Sequence, residues 1–269
     1  MATTLPTTRP VTELLGLHGK VALITGATGH LGSAMAAALA EAGATVIASS
    51  RRIDAAKAAA DGLPRIGDTK HFGVAIDHTD EKSIRDGFAA ALEHAGQIDI
   101  LVNNGHDAIG VDWTTVTAEQ FNRHMVNATG YFLLARHLRE HAVARAGGAS
   151  VIMIGSMYGV VGSYPDAYEG VAVASPVAYH ALKGGIVHMT RHLAVYWAKD
   201  GVRVNCLSPG PFPHDRIAPE MVRRLKEKSP MKRMGRPEEL KGALVYLASD
   251  ASSYMTGQNM IIDGGWTAW

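Results

Sequence analysis

The sequence has little of three features, each of which would define a class of protein. It holds one cysteine, Cys206, which excludes an internal disulfide and favours a reducing compartment. The neighbouring Val204 and Leu207 indicate that this cysteine is a small core residue rather than a nucleophile. No apolar run approaches the ~18 residues of a membrane span, and the opening residues lack the apolar region of a secretory signal. We therefore expect a cytoplasmic protein without a membrane partner.

The third feature that the sequence lacks is an excess of charge of one sign, because 26 Lys and Arg residues are balanced by 25 Asp and Glu residues. No basic run is longer than a pair such as 51–52 or 223–224, which is too short for a nucleic-acid surface. Hydrophobic residues make up 47% of the chain and charged residues 19%, the composition of a folded globular domain. A small molecule is thus the expected partner. We predict one domain over residues 19–269, preceded by a loose N-terminal segment over 1–18.

Short β-branched apolar runs alternate with longer alanine- and leucine-rich amphipathic stretches along the chain. This alternation, without a repeat or linker, predicts a single α/β domain. Since such apolar strands must be covered on both faces, we expect a parallel, doubly wound sheet with its ligand beyond the carboxyl ends of the strands. The predicted strands are 21–24, 45–48, 72–76, 100–102, 150–154, 202–206 and 259–262.

The stretch TGATGHLG, residues 25–32, lies between the first predicted strand and a predicted helix. A glycine turn at this place puts free backbone N–H groups and a positive helix end beside a pyrophosphate. Gly26 would make the turn, Gly29 would leave room for the phosphate, and Gly32 would let the helix lie close to the strand. His30 fits if its side chain points away from the ligand. The alternative is a tight turn with a purely structural role.

The stretch YHALK places Tyr179 and Lys183 four residues apart, on one face of a predicted helix that runs to residue 199. A tyrosine has a pKa of ~10 and must be shifted by several units to exchange protons near neutrality. A lysine ammonium at ~4 Å would supply ~4 kcal/mol, which is enough for that shift. The alternative is an ordinary helix surface, since the pattern is short.

Seven motifs occur in order: TGATGHLG, NNGH at 103–106, MVNATG at 125–130, IGS at 154–156, YHALK, SPG at 208–210 and DGG at 263–265. In this order they resemble the short-chain dehydrogenase/reductases, and the likeness runs over residues 19–265. The resemblance implies a single Rossmann-type doubly wound parallel sheet of about seven strands flanked by helices. It also implies NAD(P)-dependent oxidation or reduction at a carbonyl or secondary alcohol, and a homotetramer.

Two features depart from the single-domain branch that the chain otherwise resembles. The glycine pattern Thr-Gly-x-x-Gly-x-x-Gly is similar to that of the extended, sugar-nucleotide-modifying branch, in which bulk at the position of His30 is tolerated. The interval from Ser156 to Tyr179 is also longer than usual. The few residues after Gly265 leave no room for the additional domain of the extended branch.

Carried over by motif, the catalytic residues are Asn127, Ser156, Tyr179 and Lys183. Tyr179 would exchange a proton with the substrate oxygen, which Ser156 would also hold. Lys183 would lower the pKa of Tyr179 and bind the nicotinamide ribose. Asn127 would position a water in a proton relay through Lys183, and its alternative role is a helix-interior amide that bonds to the backbone.

The resemblance also implies a nicotinamide cofactor. No acid follows the second strand, where Ser50 stands, and Arg51 is suited to a 2′-phosphate, so we predict NADP, with NAD possible. The alternatives are that Arg51 belongs to a solvated charge pair and that Asp77, the candidate adenine contact, only closes a turn. The predicted cofactor-binding residues are Gly26, Thr28, Gly29, His30, Leu31, Ser50, Arg51, Asp77, His78, Asn103, Gly105, Tyr179, Lys183, Pro209, Gly210 and Phe212.

The added residues 163–175 must cross the substrate mouth, since they join the strand of Ser156 to the helix of Tyr179. Rings and carboxylates there suit a hydroxyl-bearing substrate, and the alternative is a solvated surface loop. His106 and His214 replace the family's usual glycine and threonine, which puts contacts at the nicotinamide end in doubt. The predicted substrate residues are His106, Tyr158, Asp166, Glu169 and His214.

Three hypotheses for the function follow. The first is a reversible NADP-dependent dehydrogenase of a small polar substrate such as a sugar, polyol or sugar acid. The second is a reductase of 3-oxoacyl thioesters, and the third is a catalytically silent dinucleotide sensor, which would not need the catalytic set. We expect no metal site, although HLREH at 137–141 has the spacing of a zinc motif, because such helices pack in this family and no third ligand is evident.

Overall fold

The computed structural model describes residues 8–269, and its first element differs from the expected loose segment. Helix α1 spans Val11–Leu15, and Leu17 after it is buried in the apolar core. The Arg9 guanidinium lies 2.8 Å from the Asp250 carboxylate. Residues 8–18 therefore pack on the domain. Burial of the Leu17 side chain favours this position, because it removes apolar surface from water. The part of the predicted loose segment over 1–7 lies outside the described residues.

A parallel sheet of seven strands, in the order β3-β2-β1-β4-β5-β6-β7, forms the centre of the described chain, as predicted. The last strand pairs along its whole length with the second half of the sixth, from Cys206 opposite Asn259 to Pro209 opposite Ile262. This pairing extends the sixth strand three residues beyond its predicted end at 206. The strands are β1 Val21–Ile24, β2 Thr45–Ser50, β3 Phe72–Ala75, β4 Ile100–Asn103, β5 Ala149–Ile154, β6 Val202–Pro209 and β7 Asn259–Ile262.

Helices cover both faces of this sheet and create two apolar cores. Successive residues of β1 point to opposite cores, since Val21 and Leu23 pack with α4, α5 and α7, while Ala22 and Ile24 pack with α2 and α9. Among residues 8–269, no helix combines the length and apolar composition needed to cross a membrane. The remaining helices are α2 His30–Glu41, α3 Ile53–Asp61, α4 Glu81–Ala95, α5 Ala118–Ala144, α6 Pro165–Tyr168, α7 Val177–Trp197, α8 Pro219–Lys228 and α9 Lys241–Ala248.

The strand order reverses between β1 and β4, and this reversal leaves a crevice at the carboxyl ends of the strands. Thr25 and Asn104, which follow these two strands, are tied together across it. The Thr25 hydroxyl accepts from the N–H groups of Asn104 and Gly105, at 2.9 and 2.8 Å. The Asn104 amide donates to the carbonyls of Thr25 and Gly26. These bonds fix the glycine loop over the crevice.

Candidate active site

The glycine loop has the backbone geometry that the sequence predicts. Gly26 adopts a φ of 63°, which favours glycine. A Cβ on Gly32 would lie 2.0 Å from the Gly26 carbonyl oxygen, so only glycine lets α2 approach the loop this closely. Helix α2 begins at His30, and no side chain caps its N-terminus. Its free N–H groups and its dipole therefore suit a phosphate.

A cavity of about 400 Å³ opens in front of this loop. His30 belongs to its wall, with its ring centroid 6.2 Å from that of His214. His30 is the exposed first residue of α2 and lies at the rim of the cavity, in agreement with its place among the predicted cofactor residues. The predicted cofactor residues that line the cavity are Gly26, Thr28, Gly29, His30, Leu31, Ser50, Arg51, His78 and Gly105.

Asn103 and Asp77 are among the predicted cofactor residues that lie outside the wall of this cavity. Asn103 is fully buried, and its amide donates to the carbonyl of Tyr131 at 2.9 Å. The Asp77 carboxylate accepts from the N–H and the hydroxyl of Thr79 and closes a turn after β3. Asn103 therefore ties β4 to α5, and the residue that faces the crevice is its neighbour Asn104.

One acidic residue, Asp107, lines the cofactor cavity and holds two cations at its edge. Its carboxylate lies 3.6 Å from Arg51 and 3.1 Å from Arg123. Arg51 is the more important partner, because it lines the cavity at the end of β2 and its side chain is 68% exposed. A pair this exposed is weak, so Arg51 can exchange Asp107 for another anion.

A second cavity, of about 670 Å³, lies between the end of β5, the added residues and α8. Tyr179 and Ser156 stand in its wall. His106 lines both this cavity and the cofactor cavity, so the two spaces meet beside Tyr179. Gly210 and Phe212, predicted to bind cofactor, also line this second cavity, whereas Pro209 is the last residue of β6. We call it the substrate cavity.

Tyr179 and Lys183 share one face of α7, as their spacing predicts, but their pKa values follow a different cause from the one expected. The Lys183 ammonium lies 5.7 Å from the centre of the Tyr179 ring and donates to the Ile154 carbonyl at 2.8 Å. Burial raises the pKa of Tyr179, and the nearby Ser156 hydroxyl opposes that change. Burial also lowers the pKa of Lys183 to about 8. Desolvation is therefore the largest influence on the Tyr179 pKa, and the lowering by Lys183 that the sequence predicts stays a prediction.

Asn127 is fully buried, and both its amide oxygen and its amide nitrogen are hydrogen-bonded to protein groups. Its Oδ1 accepts from the His78 ring at 2.7 Å and from the N–H of Asp107 at 2.8 Å. Its Nδ2 donates to the carbonyls of His124 and Asp107. Asn127 therefore anchors the loop after β4 to α5, which is the structural alternative that the sequence left open.

Histidines surround the point where the two cavities meet. The ring of His106 lies 5.5 Å from that of Tyr179 and 5.1 Å from that of His124. Burial, assisted by the charge of Lys183, lowers the pKa of His106 to about 3. Burial and the charge of Lys183 also lower the pKa of His124, whereas the charge of Asp107 raises it. Both imidazoles are consequently neutral at physiological pH.

The outer wall of the substrate cavity is mainly apolar and is partly built by the added residues. Tyr158 is buried there, and its hydroxyl lies 2.8 Å from that of Tyr168, which comes from α6. Arg216 stands in the same wall. The other lining residues on this side include Ala172, Val173, Pro176, Ile217, Met221 and Leu225.

The two carboxylates expected to contact substrate turn away from the cavity. The Asp166 side chain is 65% exposed and pairs with Lys228, and Glu169 is also exposed. Arg224 of α8 donates to the backbone carbonyls of both residues. Neither side chain lines the substrate cavity, so the predicted contacts of Asp166 and Glu169 were wrong. Lys228 of α8 pairs with the Asp166 carboxylate, and Tyr168 is the residue of α6 that lines the cavity. His214 is exposed at the rim and accepts from the N–H of Arg216.

Two residues at the site were missed in the sequence, although each had a signal. His124 precedes Asn127 by three residues on α5, which places both on one helix face. Asn104 follows Asn103, and alternate residues of a strand point in opposite directions. Within residues 8–269, no group of His, Cys, Asp and Glu has the geometry of a metal site. His141 of the HLREH stretch instead accepts from the N–H of Ile98.

Comparisons with known proteins agree with this geometry. Residues 26–267 match a family model described as "Enoyl-(Acyl carrier protein) reductase". The chain belongs to the short-chain dehydrogenase/reductase family, and it is an NAD(P)-dependent oxidoreductase that acts on CH–OH groups or the corresponding carbonyls. The predicted family, fold class and enzyme class are thereby confirmed.

Three relatives indicate the range of substrates and cofactors in similar chains. Galactitol 2-dehydrogenase (L-tagatose-forming) of Cereibacter sphaeroides is 35% identical over 94% of this chain and 97% of its own. The crystal structure of a Burkholderia cenocepacia gluconate 5-dehydrogenase with NADP and tartrate is 27% identical, with a TM-score of 0.85 over 97% and 100% of the chains. That of a Leptospira borgpetersenii short-chain dehydrogenase with bound NAD+ is 28% identical, with a TM-score of 0.83 over 99% of each chain.

Proposed function

We propose that the protein is an NADP-dependent dehydrogenase that interconverts a secondary alcohol and a ketone on a small polyol, sugar or sugar acid. The observation that carries the proposal is the meeting of the two cavities beside Tyr179 and Ser156, with His106 in both walls. A substrate held there reaches a proton donor on one side and a cofactor on the other. The galactitol and gluconate dehydrogenases among its relatives support this class of substrate.

The groups of the chain divide the work around one substrate oxygen. A bound nicotinamide supplies the hydride. Tyr179 keeps its proton at neutral pH, because burial raises its pKa, and donates it to the carbonyl oxygen during reduction. Ser156 holds the same oxygen from the end of β5. Lys183, half-charged near pH 8, provides the positive charge that stabilises the phenolate left behind.

A substrate panel tests this function. We would measure NADPH oxidation with keto sugars, simple ketones and 3-oxoacyl thioesters, and NADP+ reduction with polyols and sugar acids. The proposal expects the highest kcat/KM within the keto sugars, polyols or sugar acids. Absence of turnover with every compound would contradict it and would favour a silent sensor.

A reductase of 3-oxoacyl thioesters is the second candidate, and two observations favour it. The outer wall of the substrate cavity is apolar enough for an alkyl chain, and α8 beside it carries Arg223, Arg224, Lys226 and Lys228, a surface that could meet an acidic carrier. The acids of α8 and of the added segment offset part of this charge. In the panel above, this candidate predicts that the thioesters exceed every keto sugar.

The choice of NADP over NAD rests on Ser50 and Arg51 in the cavity wall, where no acid follows β2. We expect Arg51→Ala to lower kcat/KM with NADP about tenfold or more and to leave the value with NAD nearly unchanged. The reason is the loss of a charge-assisted bond to the 2′-phosphate. Steady-state kinetics with both cofactors measure the effect.

Arg52→Ala is the matched control for that variant, because Arg52 is adjacent and exposed but does not line the cavity. It removes the same charge from the same surface, so it should leave the NADP preference intact. Equal efficiency with both cofactors in the wild type, unchanged by Arg51→Ala, would show that the predicted preference is wrong.

We also propose a homotetramer assembled through α5 and α7. On α7, Val195 and Tyr196 are exposed, and a Cβ on Gly185 would contact nothing within 4 Å. Glycine costs a helix ~1 kcal/mol relative to alanine, so an approaching subunit is a physical reason for it. Light scattering should give four times the chain mass of 28.5 kDa. A monomer mass at micromolar concentration would exclude the assembly.

A further inference from the structure

His124 is the most unusual polar residue near the substrate cavity. It is 1% exposed, and neither of its ring nitrogens has a hydrogen-bond partner among the described residues. A buried imidazole without partners is unfavourable unless a ligand completes its bonds. His124 also forms part of the wall of the substrate cavity, so the ligand within its reach is one that occupies this cavity.

The neighbours of His124 place its unpaired ring nitrogens beside the substrate oxygen that reacts. Its ring centroid lies 5.1 Å from that of His106 and 6.2 Å from that of Tyr179. The Nδ1 atom of His106 is likewise buried and without a partner. A substrate oxygen held by Tyr179 therefore has two unsatisfied imidazoles close to the adjoining carbon.

The Arg216 side chain is exposed to solvent, and the other polar side chains of the cavity have hydrogen-bond partners already. The hydroxyls of Tyr158 and Tyr168 bond to each other, and the Ser156 hydroxyl accepts from the N–H of Tyr158. The Ser175 hydroxyl bonds to the His180 ring at 2.9 Å. The two imidazoles are thus the groups in this wall with bonds still to make, and a neutral imidazole offers one donor and one acceptor.

A hydroxyl group matches this pair better than other ligands do. It donates to one imidazole nitrogen and accepts from another, whereas a carboxylate only accepts and an alkyl group does neither. The cluster has no metal geometry within residues 8–269. A neutral, hydroxyl-bearing carbon is therefore the chemistry that completes it.

We propose that His124 and His106 form a second hydroxyl subsite, which selects substrates with a hydroxyl on the carbon next to the reacting carbon. The inference rests on the proposed function and makes it more specific: the substrate is a vicinal diol or an α-hydroxyketone. His124 is a specificity-determining residue in this reaction, and Tyr179 remains the proton donor.

The test compares two alcohols that differ by one hydroxyl, 1,2-cyclohexanediol and cyclohexanol, and adds D-arabinitol as an open-chain polyol. We expect the wild type to show a kcat/KM about tenfold or more higher for the diol, because an analogue that leaves buried polar groups unpaired is rejected. In His124→Phe, which keeps the ring and its packing, that ratio should fall towards one. The fall should come from the diol, because only that substrate carries the second hydroxyl.

Two further variants keep the result interpretable. His94→Phe is the matched control, since His94 is an exposed histidine stacked on Phe72, and it should leave the ratio unchanged. His124→Gln restores a donor and an acceptor, so it should recover part of the preference for the diol. This variant also keeps the test possible if His124→Phe folds poorly. NADPH affinity, measured by fluorescence, should be equal in all forms.

The inference is overturned if the wild type does not prefer the diol, or if folded variants at position 124 keep the full preference. Both results would leave the proposed function intact, because alcohols are still oxidised. If neither the cyclohexane pair nor any polyol, keto sugar or sugar acid of the panel is turned over, the proposed function has failed and the inference falls with it.

Discussion

Tyr179→Phe should lower kcat at least about a hundredfold with every active substrate, while NADPH affinity stays nearly unchanged. The variant removes one hydroxyl from a buried ring, so packing is retained and only the proton donor is lost. Positioned proton transfer contributes ~10²–10⁴-fold to rates, which sets the expected size. Steady-state kinetics and NADPH fluorescence titration measure the two quantities separately.

Lys183→Ala provides the contrast, because Lys183 is buried and bonded to the Ile154 carbonyl. Removing it leaves that carbonyl without its partner and removes the charge beside Tyr179, so both kcat and NADPH affinity should fall. A Tyr179→Phe enzyme that kept more than about a tenth of the wild-type rate would disprove the assigned proton transfer.

Gly32→Ala should destabilise the protein by about 3 kcal/mol or more and abolish NADPH binding. The added Cβ would lie 2.0 Å from the Gly26 carbonyl oxygen and 2.7 Å from the Asn104 amide. Both contacts are with groups that fix the loop, so α2 must move away from β1. Urea unfolding and NADPH titration of the same preparation give the two effects.

Two glycine variants separate this clash from general effects of alanine. Gly29→Ala places its Cβ 3.3 Å from the Gly26 carbonyl, which small shifts can relieve, so the fold should survive while the phosphate site is narrowed. Gly242→Ala on α9 meets nothing within 4 Å and should be neutral or stabilising, because alanine favours a helix. Wild-type stability of Gly32→Ala would contradict the close approach of α2 to the loop.

The sheet was predictable because its signals are local. Each predicted apolar run of three to five residues became a strand, and the run at 21–24 kept its predicted limits. The docking of residues 8–18 could not be predicted, because it depends on the contact of Leu17 with a core formed by distant segments. Tertiary burial of a single leucine leaves no periodic pattern in a short segment.

The site was predictable where backbone geometry decides and less so where side chains compete. Gly26 and Gly32 follow from the turn and the close approach that a strand, loop and helix require. Asp166 and Glu169 were misassigned because the sequence does not show that Lys228 and Arg224, about sixty positions later, lie next to them. Asn103 is the last residue of β4 and Asn104 follows it, and which of the two faces the crevice depends on the register of the strand and on where it ends.

The bonds between Arg224 and the carbonyls of Asp166 and Glu169 join two segments that are far apart in the chain. Lys228 adds a link to the Asp166 side chain and lies over the Tyr164 ring. The added residues and α8 therefore form one continuous part of the wall of the substrate cavity. An engineer who transplants the specificity of this enzyme onto a related scaffold must move both segments together, since either alone arrives without the partner that holds its shape.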